Sequence, residues 1–271
     1  MAPHSGIRVE PIAGEPAATI NFASERAVVI GDYHAGIEAG LRYERGVELP
    51  NNSDERRERL CSLLDTTHAD RLVVLGDLGH RIGHSRGVER EELTALYRAV
   101  VEDRGVAITV APGNHDGKIE SIFADREGVE MLPMDGGLLG TPPEAVGVFH
   151  GHTWPAHELL SAQTICMAHE HPQVKLQDSV GGSRTEKAWL RGRLDRELVA
   201  ESIDSKPKTA DSLFDSADPE LVVFPAFNDR SGGTWVNVEG QGFLAPFLPD
   251  FLTDASLYLL DGTRLGAYQH V

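Results

Sequence analysis

A chain of 271 residues with 41% hydrophobic side chains can bury one substantial α/β core without disulfides or structural metals, and a single domain over 1–271 is expected. Its two cysteines, Cys61 and Cys166, speak against a secreted disulfide framework, and with no apolar signal region and no stretch near the ~18 apolar residues of a membrane span, a cytoplasmic protein without a membrane partner is expected. The formal charge of −17, from 42 acidic against 25 basic residues, argues against broad clamping of nucleic acid and suits a halophilic-type protein in a high-salt cytoplasm.

Residues 1–26 read as a polar lead-in with one edge strand near 18–22, followed by a buried apolar strand at 27–30. A helix follows over 53–64, with Ser53 as N-cap, acids in its first turn and Leu60, Leu63 and Leu64 on one face. The apolar run 71–75 is a second strand. Residues 89–104 form a second helix by the spacing of Leu93, Leu96, Tyr97, Val100 and Val101, stopped by Gly105, and 106–110 is a third strand. Strand and helix thus alternate over 27–110, the pattern of a largely parallel sheet. After a short helix near 118–124, strands come faster: 146–150, 164–168, 173–177, 187–193, 221–227, 234–238 and a hairpin within 256–268 about Asp261-Gly262. The run 187–194 suits a helix as well as a strand, and the acidic stretch 195–218 reads as an excursion or surface helix. Parallel units followed by a strand-rich half predict two packed sheets with helices outside.

Five of the apolar runs end in motifs that carry chemistry: Gly31-Asp32-Tyr33-His34, Gly76-Asp77, Gly113-Asn114-His115-Asp116, His150-Gly151-His152 and Ala168-His169-Glu170-His171-Pro172. Carboxyl ends of such strands are where α/β folds gather ligands. Asp32 and His34, like His169 and His171, are two residues apart and can share a face. One Gly-Asp or one histidine is commonly structural; five such signals in order are not. A phosphoester resists water through its anionic oxygens and poor leaving group, and two divalent ions ~3.5–4 Å apart answer both by making hydroxide and neutralising charge. Such a pair needs a bridging carboxylate among imidazole and oxygen donors, which these motifs supply. The mixture favours Mn²⁺, with Zn²⁺ or Fe²⁺ as alternatives, because a Mg²⁺ site uses fewer imidazoles.

The order D-x-H, G-D, G-N-H-D, H and H-x-H resembles the calcineurin-like metallophosphoesterase superfamily, and within it the ICC-like predicted phosphoesterases related to DNA-ligase-associated phosphoesterases. Less specific similarity at Trp189-Leu-Arg-Gly192, Phe224-Pro-Ala-Phe-Asn228 and Leu260-Asp-Gly-Thr263 extends it beyond the metal motifs of 30–172. The resemblance implies a four-layer α/β/β/α sandwich of two mixed sheets, in agreement with the alternation above. It also implies that Asp32, His34 and His171 hold one metal, that Asn114, His150 and His169 hold a second, and that Asp77 bridges. His115 corresponds to the family's catalytic histidine, which stabilises the phosphoryl charge or protonates the leaving oxygen. Asp116 would orient that imidazole, and His152 would stand behind the ligands or meet substrate. One departure is visible: the fifth motif of the family begins with Gly, here Ala168, for which a positive φ would be costly.

His80, Arg81 and His84 follow Asp77 in a loop expected over the metals, with Arg81 suited to grip phosphate; a solvated polar loop is the alternative. Tyr33 and Trp189 are expected to pack in the core, Trp154 and His157 to pack or line a groove, and Asn228 and Arg230 to join the site late; His4, His68 and His270 read as surface residues. The function expected is hydrolysis of a phosphoester, most simply a phosphodiester, by a metal-bridging hydroxide. Substrate candidates are a cyclic nucleotide or a nucleic-acid end. The rival is a non-catalytic scaffold, as in the retromer subunit of this fold; the presence of His115 and of all seven ligands separates the two.

Overall fold

The computed structural model describes residues 9–22, 24–124, 126–142, 144–178, 180–203, 217–238 and 240–271. Its first sheet holds β1 (Val9–Pro11), β2 (Ala17–Phe22), β3 (Glu25–Ile30), β4 (Arg71–Val74), β5 (Ala107–Val110) and β6 (Val129–Met131), in that spatial order. From β3 to β6 the strands run parallel, while β1 and β2 join antiparallel. Parallel neighbours need crossovers. These are supplied by α1 (Ile37–Arg45) and α2 (Ser53–Thr67) between β3 and β4, by α3 (Val88–Tyr97) between β4 and β5, and by the short α4 (Glu120–Phe123) before β6.

The second sheet is mixed. It contains β7 (Gly137–Thr141), β8 (Glu144–Val148), β9 (Thr164–Met167), β10 (Gln173–Gln177), β11 (Ser183–Leu194), β12 (Glu220–Val223), β13 (Leu252–Leu259) and β14 (Arg264–Ala267). Its order is β14-β13-β11-β12-β9-β8-β7, with β10 paired to one end of β11; β8, β9 and β12 are mutually parallel.

Alternation along each strand explains the layers. On β3 and β4, Val28, Ile30, Leu72 and Val74 face Leu60, Leu64, Leu93 and Leu96 of the helices. Their neighbours Ala27, Val29, Val73 and Leu75 face Val146, Val148, Cys166 and Phe224 of the second sheet. Strands covered on both faces are apolar throughout, which is why they read as continuous runs rather than alternating ones. The outer face of the second sheet, with Ile165, Met167, Leu221 and Val223, is covered by Leu159, Leu160, Phe247 and Val199. Val199 belongs to α5 (Arg196–Ile203). The architecture is the expected α/β/β/α sandwich of two mixed sheets, its last layer part helix and part irregular chain. Trp189 lies between the sheets, edge-on to Phe224 at 4.7 Å, and both cysteines are buried and free. Among the described residues no helix is long and apolar enough to cross a membrane.

Several boundaries differ from the reading of the sequence. The 18–22 strand is not an edge, because the three-residue β1 covers it. Over 187–194 the chain is strand, held between β12 and β13, because its apolar side chains serve a sheet buried on both faces. Residues 234–238 form no strand; Trp235 makes only an isolated bridge to Gln173. The second long helix passes at Arg98–Glu102 into one wider turn. Part of the expected excursion is α5, while 204–216, like His4, lies outside the described residues.

Candidate metal centre

The ligand loops begin where parallel strands end, and their hydrogen bonding continues past the strands. Asp32 N donates to Gly76 O (3.1 Å), His34 N to Asp77 O (2.9 Å), Ala168 N to His150 O (3.0 Å) and Asn228 N to Asp32 O (3.1 Å), so loops from both sheets are stitched together. The backbone turns sharply there. Among the described residues seven non-glycine positions have positive φ, and five of them are Asp32 (56°), His34 (51°), Asp77 (50°), His169 (68°) and His171 (44°). Asp and His tolerate this left-handed region better than most residues, yet each instance costs of order 1 kcal/mol and marks a position fixed by its surroundings. Gly76 shares the conformation at 81°, and a side chain there would run into the His150 ring. Ala168 does not have a positive φ, so the departure from the family motif carries no backbone strain. Its methyl fits because the facing residue is Gly31, where any Cβ would overlap the Ala168 Cβ.

Two groups of donors result. In the first, Asp32 Oδ1 stands 3.1 Å from His171 Nε2, and the donor atoms of Asp32, His34 and His171 all lie within 4.8 Å of one another. In the second, His150 Nε2 stands 3.1 Å from His169 Nδ1 and 3.2 Å from Oδ1 of the exposed Asn114. Asp77 lies between them, with Oδ2 3.9 Å from His34 Nε2 and Oδ1 3.6 Å from His150 Nε2.

This donor set fits divalent cations. Asp32 is 0% exposed, its Oδ2 has no hydrogen-bond partner and its Oδ1 faces only the His171 ring at 3.1 Å, a burial that costs several kcal/mol unless positive charge answers it. His150 Nδ1 donates to Leu75 O at 2.7 Å, which leaves Nε2 as a lone pair aimed at the Asn114 oxygen. His171 Nδ1 likewise donates to Gly232 O at 2.7 Å and frees Nε2 toward Asp32. A ring held through its far nitrogen by a carbonyl is the usual support of a metal-binding histidine.

The protonation states agree. Burial acts to raise the Asp32 carboxyl, but the His171, His150 and His34 imidazoles outweigh it and hold it at about 2. Burial, reinforced by His150, takes His169 down to about 3, and burial puts His34 well below the ordinary imidazole range. Burial pulls on His171 too, yet Asp32 raises it to about 9.

The remaining expected residues divide clearly. His115 has its amide on Asp77 Oδ1 (2.9 Å) and its Nε2 3.9 Å from Asp77 Oδ2, so it borders the site. The hydrogen bond expected on its ring from Asp116 comes instead from elsewhere: His115 Nδ1 bonds the His80 carbonyl. Asp116 accepts the amides of Gly113 (2.9 Å), Gly79 (3.0 Å) and Leu78 (3.2 Å), tying the second and third motifs together. Its burial, with Asp77 close by, lifts it to about 6. The His80 ring stacks on His115 (centroids 5.6 Å) and meets His34 edge-on (5.4 Å), with both ring nitrogens buried and unpaired. His152 lies 5.3 Å from the His150 ring. Arg81 and His84 are exposed, and the Arg81 amide donates to Glu89. Trp154 packs on Phe247 and Phe251, His157 is exposed, and Arg230 lines a side groove with Arg59 and Phe227. Tyr33 turns into the helix layer against Phe227 and Arg56. Asn228 does reach the first motif: its Nδ2 donates to Tyr33 O at 2.9 Å.

Two acids had escaped the sequence reading. Glu170, between two ligands, points the opposite way and is fully buried, accepting the amides of Ala245 (2.7 Å) and Leu244 (2.9 Å). Its position one residue out of step with both His169 and His171 is the signal that could have found it. Glu89 is hidden in what reads as an ordinary charged first turn of a helix.

The family model of calcineurin-like phosphoesterases matches residues 25–235. Among solved structures the nuclease MPE of Pseudomonas putida is similar over 94% of this chain and 98% of its own, with a TM-score of 0.50 at 17% identity. The phosphoesterase Yfce of E. coli is similar over 56% of this chain and 74% of its own, with a TM-score of 0.34 and 17% identity. No curated protein matches the chain significantly.

Proposed function

The chain belongs to the calcineurin-like phosphoesterase family and is a metal-dependent phosphoester hydrolase, and we propose that it cleaves phosphodiesters at a centre of two divalent cations. The observation that carries this reading is the fully buried Asp32 carboxylate, met only by the His171 ring, beside imidazoles that converge on Asp77 and Asn114. Asp32, His34 and His171 hold one cation and Asn114, His150 and His169 the other, with Asp77 between them. When bound, two such cations, Mn²⁺ first and Zn²⁺ or Fe²⁺ as alternatives, supply hydroxide at neutral pH and neutralise the phosphoryl oxygens. The side chain of His115, beside Asp77, turns Nε2 toward the reacting phosphate, where it takes up a proton and passes it to the leaving oxygen. His80 and His152 flank the two donor groups and meet the substrate's oxygens, and Arg81 reaches them from the exposed loop.

Cyclic nucleotides and nucleic-acid ends are the substrates proposed. The similarity in fold to a nuclease supports the second, while the net charge of −17 weighs against a long nucleic-acid track. Because donors come from loops of both sheets, one domain over 1–271 is proposed, working in a salt-rich cytoplasm. Hydrolysis of bis-p-nitrophenyl phosphate, cyclic nucleotides, single-stranded DNA and RNA is measured side by side with each metal. Metal-dependent turnover of at least one diester is expected, and none with any metal refutes the reading.

A further inference from the structure

Glu89 stands in the first turn of α3, where an acid is ordinarily solvated, yet it is 2% exposed. It is wedged between two ligand loops. A Cβ on Gly36, two residues past His34, would come within 2.6 Å of the Glu89 Cβ, and one on Gly79, two past Asp77, would lie 3.1 Å from Glu89 Oε1. Glu89 Oε2 accepts the Arg81 amide at 3.1 Å, and the Ser85 hydroxyl and His80 amide also bear on the carboxylate.

The Arg81 N–H and the His80 C=O belong to one planar peptide unit and point in opposite directions. At one edge of that unit the N–H donates to Glu89; at the opposite edge the C=O accepts from His115 Nδ1. We propose that Glu89 is a positioning residue for His115, acting through the His80–Arg81 peptide. The unit does for His115 what a carboxylate commonly does for a catalytic imidazole, with one peptide group inserted between acid and ring. It fixes the tautomer with the proton on Nδ1 and aims Nε2 at the reacting phosphate, and the two hydrogen bonds in series polarise each other. Oε1 is buried with no hydrogen-bond partner of its own, so it is the charge of the carboxylate that strengthens the bond from the Arg81 amide to Oε2, and a neutral glutamine would loosen it. The proposal rests on the phosphodiesterase reading above for the role of Nε2, but the hydrogen-bonded line itself does not.

The test compares Glu89→Gln and Glu89→Asp with the unaltered protein; the second keeps the charge, shortens the reach by one methylene and serves if the first fails to fold. Expected is a roughly tenfold to hundredfold loss of kcat, the scale of a misplaced supporting group, with KM and bound metal unchanged. In a His115→Ala background the same change lowers kcat by less than about twofold, because the route through the ring is already gone. Independently of turnover, ¹⁵N-histidine spectra of the Zn²⁺-loaded protein, with the ring assigned from His115→Ala, show a single Nδ1–H tautomer that becomes mixed in both Glu89 variants. Losses that multiply in the double variant, or a His115 signal that both Glu89 variants leave untouched, overturn the proposal. An unaltered protein inert toward every diester instead refutes the phosphodiesterase reading, and the spectra still decide the role of Glu89.

Discussion

Exchanging one methyl group across the inter-sheet seam tests why alanine stands where the family has glycine. Gly31 follows β3 and Ala168 follows β9, each directly before a candidate ligand, Asp32 and His169. In Gly31→Ala the new methyl would overlap the Ala168 methyl, while its other neighbours, Ala168 Cα and Leu75 Cβ, would lie at an ordinary 3.7 Å. One carbon atom is therefore the whole obstacle, and Gly31 has no positive φ to add strain. Overpacking of this kind costs about 1–3 kcal/mol. For a chain of this length that is roughly 2–12 °C in Tm, at about 2–4 °C per kcal/mol. Ala168→Gly alone loses a buried methyl and frees backbone, together about 1–2 kcal/mol. The double variant only moves the methyl from one loop to the other, so its stability returns to within about 1 kcal/mol of the unaltered protein, or about 2–4 °C in Tm. Thermal denaturation of the four proteins, metal-loaded, measures this. A Gly31→Ala protein as stable as its parent, or a double variant no better than Gly31→Ala, refutes the reasoning.

Asp77→Asn weakens both donor groups at once; bound metal and turnover of bis-p-nitrophenyl phosphate fall together by about a hundredfold or more, and full activity at full metal content would discredit Asp77 as the bridge. Metal removal exposes a pH dependence: burial pulls His171 down but Asp32 raises it from 6.5 to about 9, so the folded protein binds this proton more tightly than the unfolded one. That stabilisation is complete below pH 6.5 and is lost as pH rises through 9, so Tm of the stripped protein declines over this window and the trend disappears in His171→Gln; a flat profile in the stripped parent contradicts the ion pair. For the acidic surface, activity and Tm are expected to rise between ~0.1 M and multimolar KCl, and no change over that range removes the high-salt reading.

What was legible in the sequence follows a physical pattern. Strands covered on both faces show as apolar runs, and β3, β4, β5, β8 and β9 all end beside the motifs expected of them. Elements that lean on neighbours for their stability were not visible. The α1 helix carries Gly40 and few apolar residues, and β6 and β7 are three and five residues long. At the site, residue types marked the donors, but the partners of their far nitrogens are the carbonyls of Leu75 and Gly232, and main-chain acceptors leave no trace in side-chain identity. For the same reason Asp116 seemed the natural partner of His115, being next in sequence, whereas the ring turns to the His80 carbonyl. Adjacent residues point apart more often than together.

The conformations of the ligands bear on how the centre is assembled. Five donors hold left-handed backbone, and a free loop would relax out of it. What holds them is not a ligand but the main chain: Asp32 to Gly76, His34 to Asp77, Ala168 to His150 and Asn228 to Asp32, each bond joining two loops. Glu170 and Asn228 fasten those loops to chain outside them, through the Leu244 and Ala245 amides and the Tyr33 carbonyl. The strain is thus sustained by hydrogen bonds within the folded sandwich itself, so folding meets much of the cost of ordering these side chains.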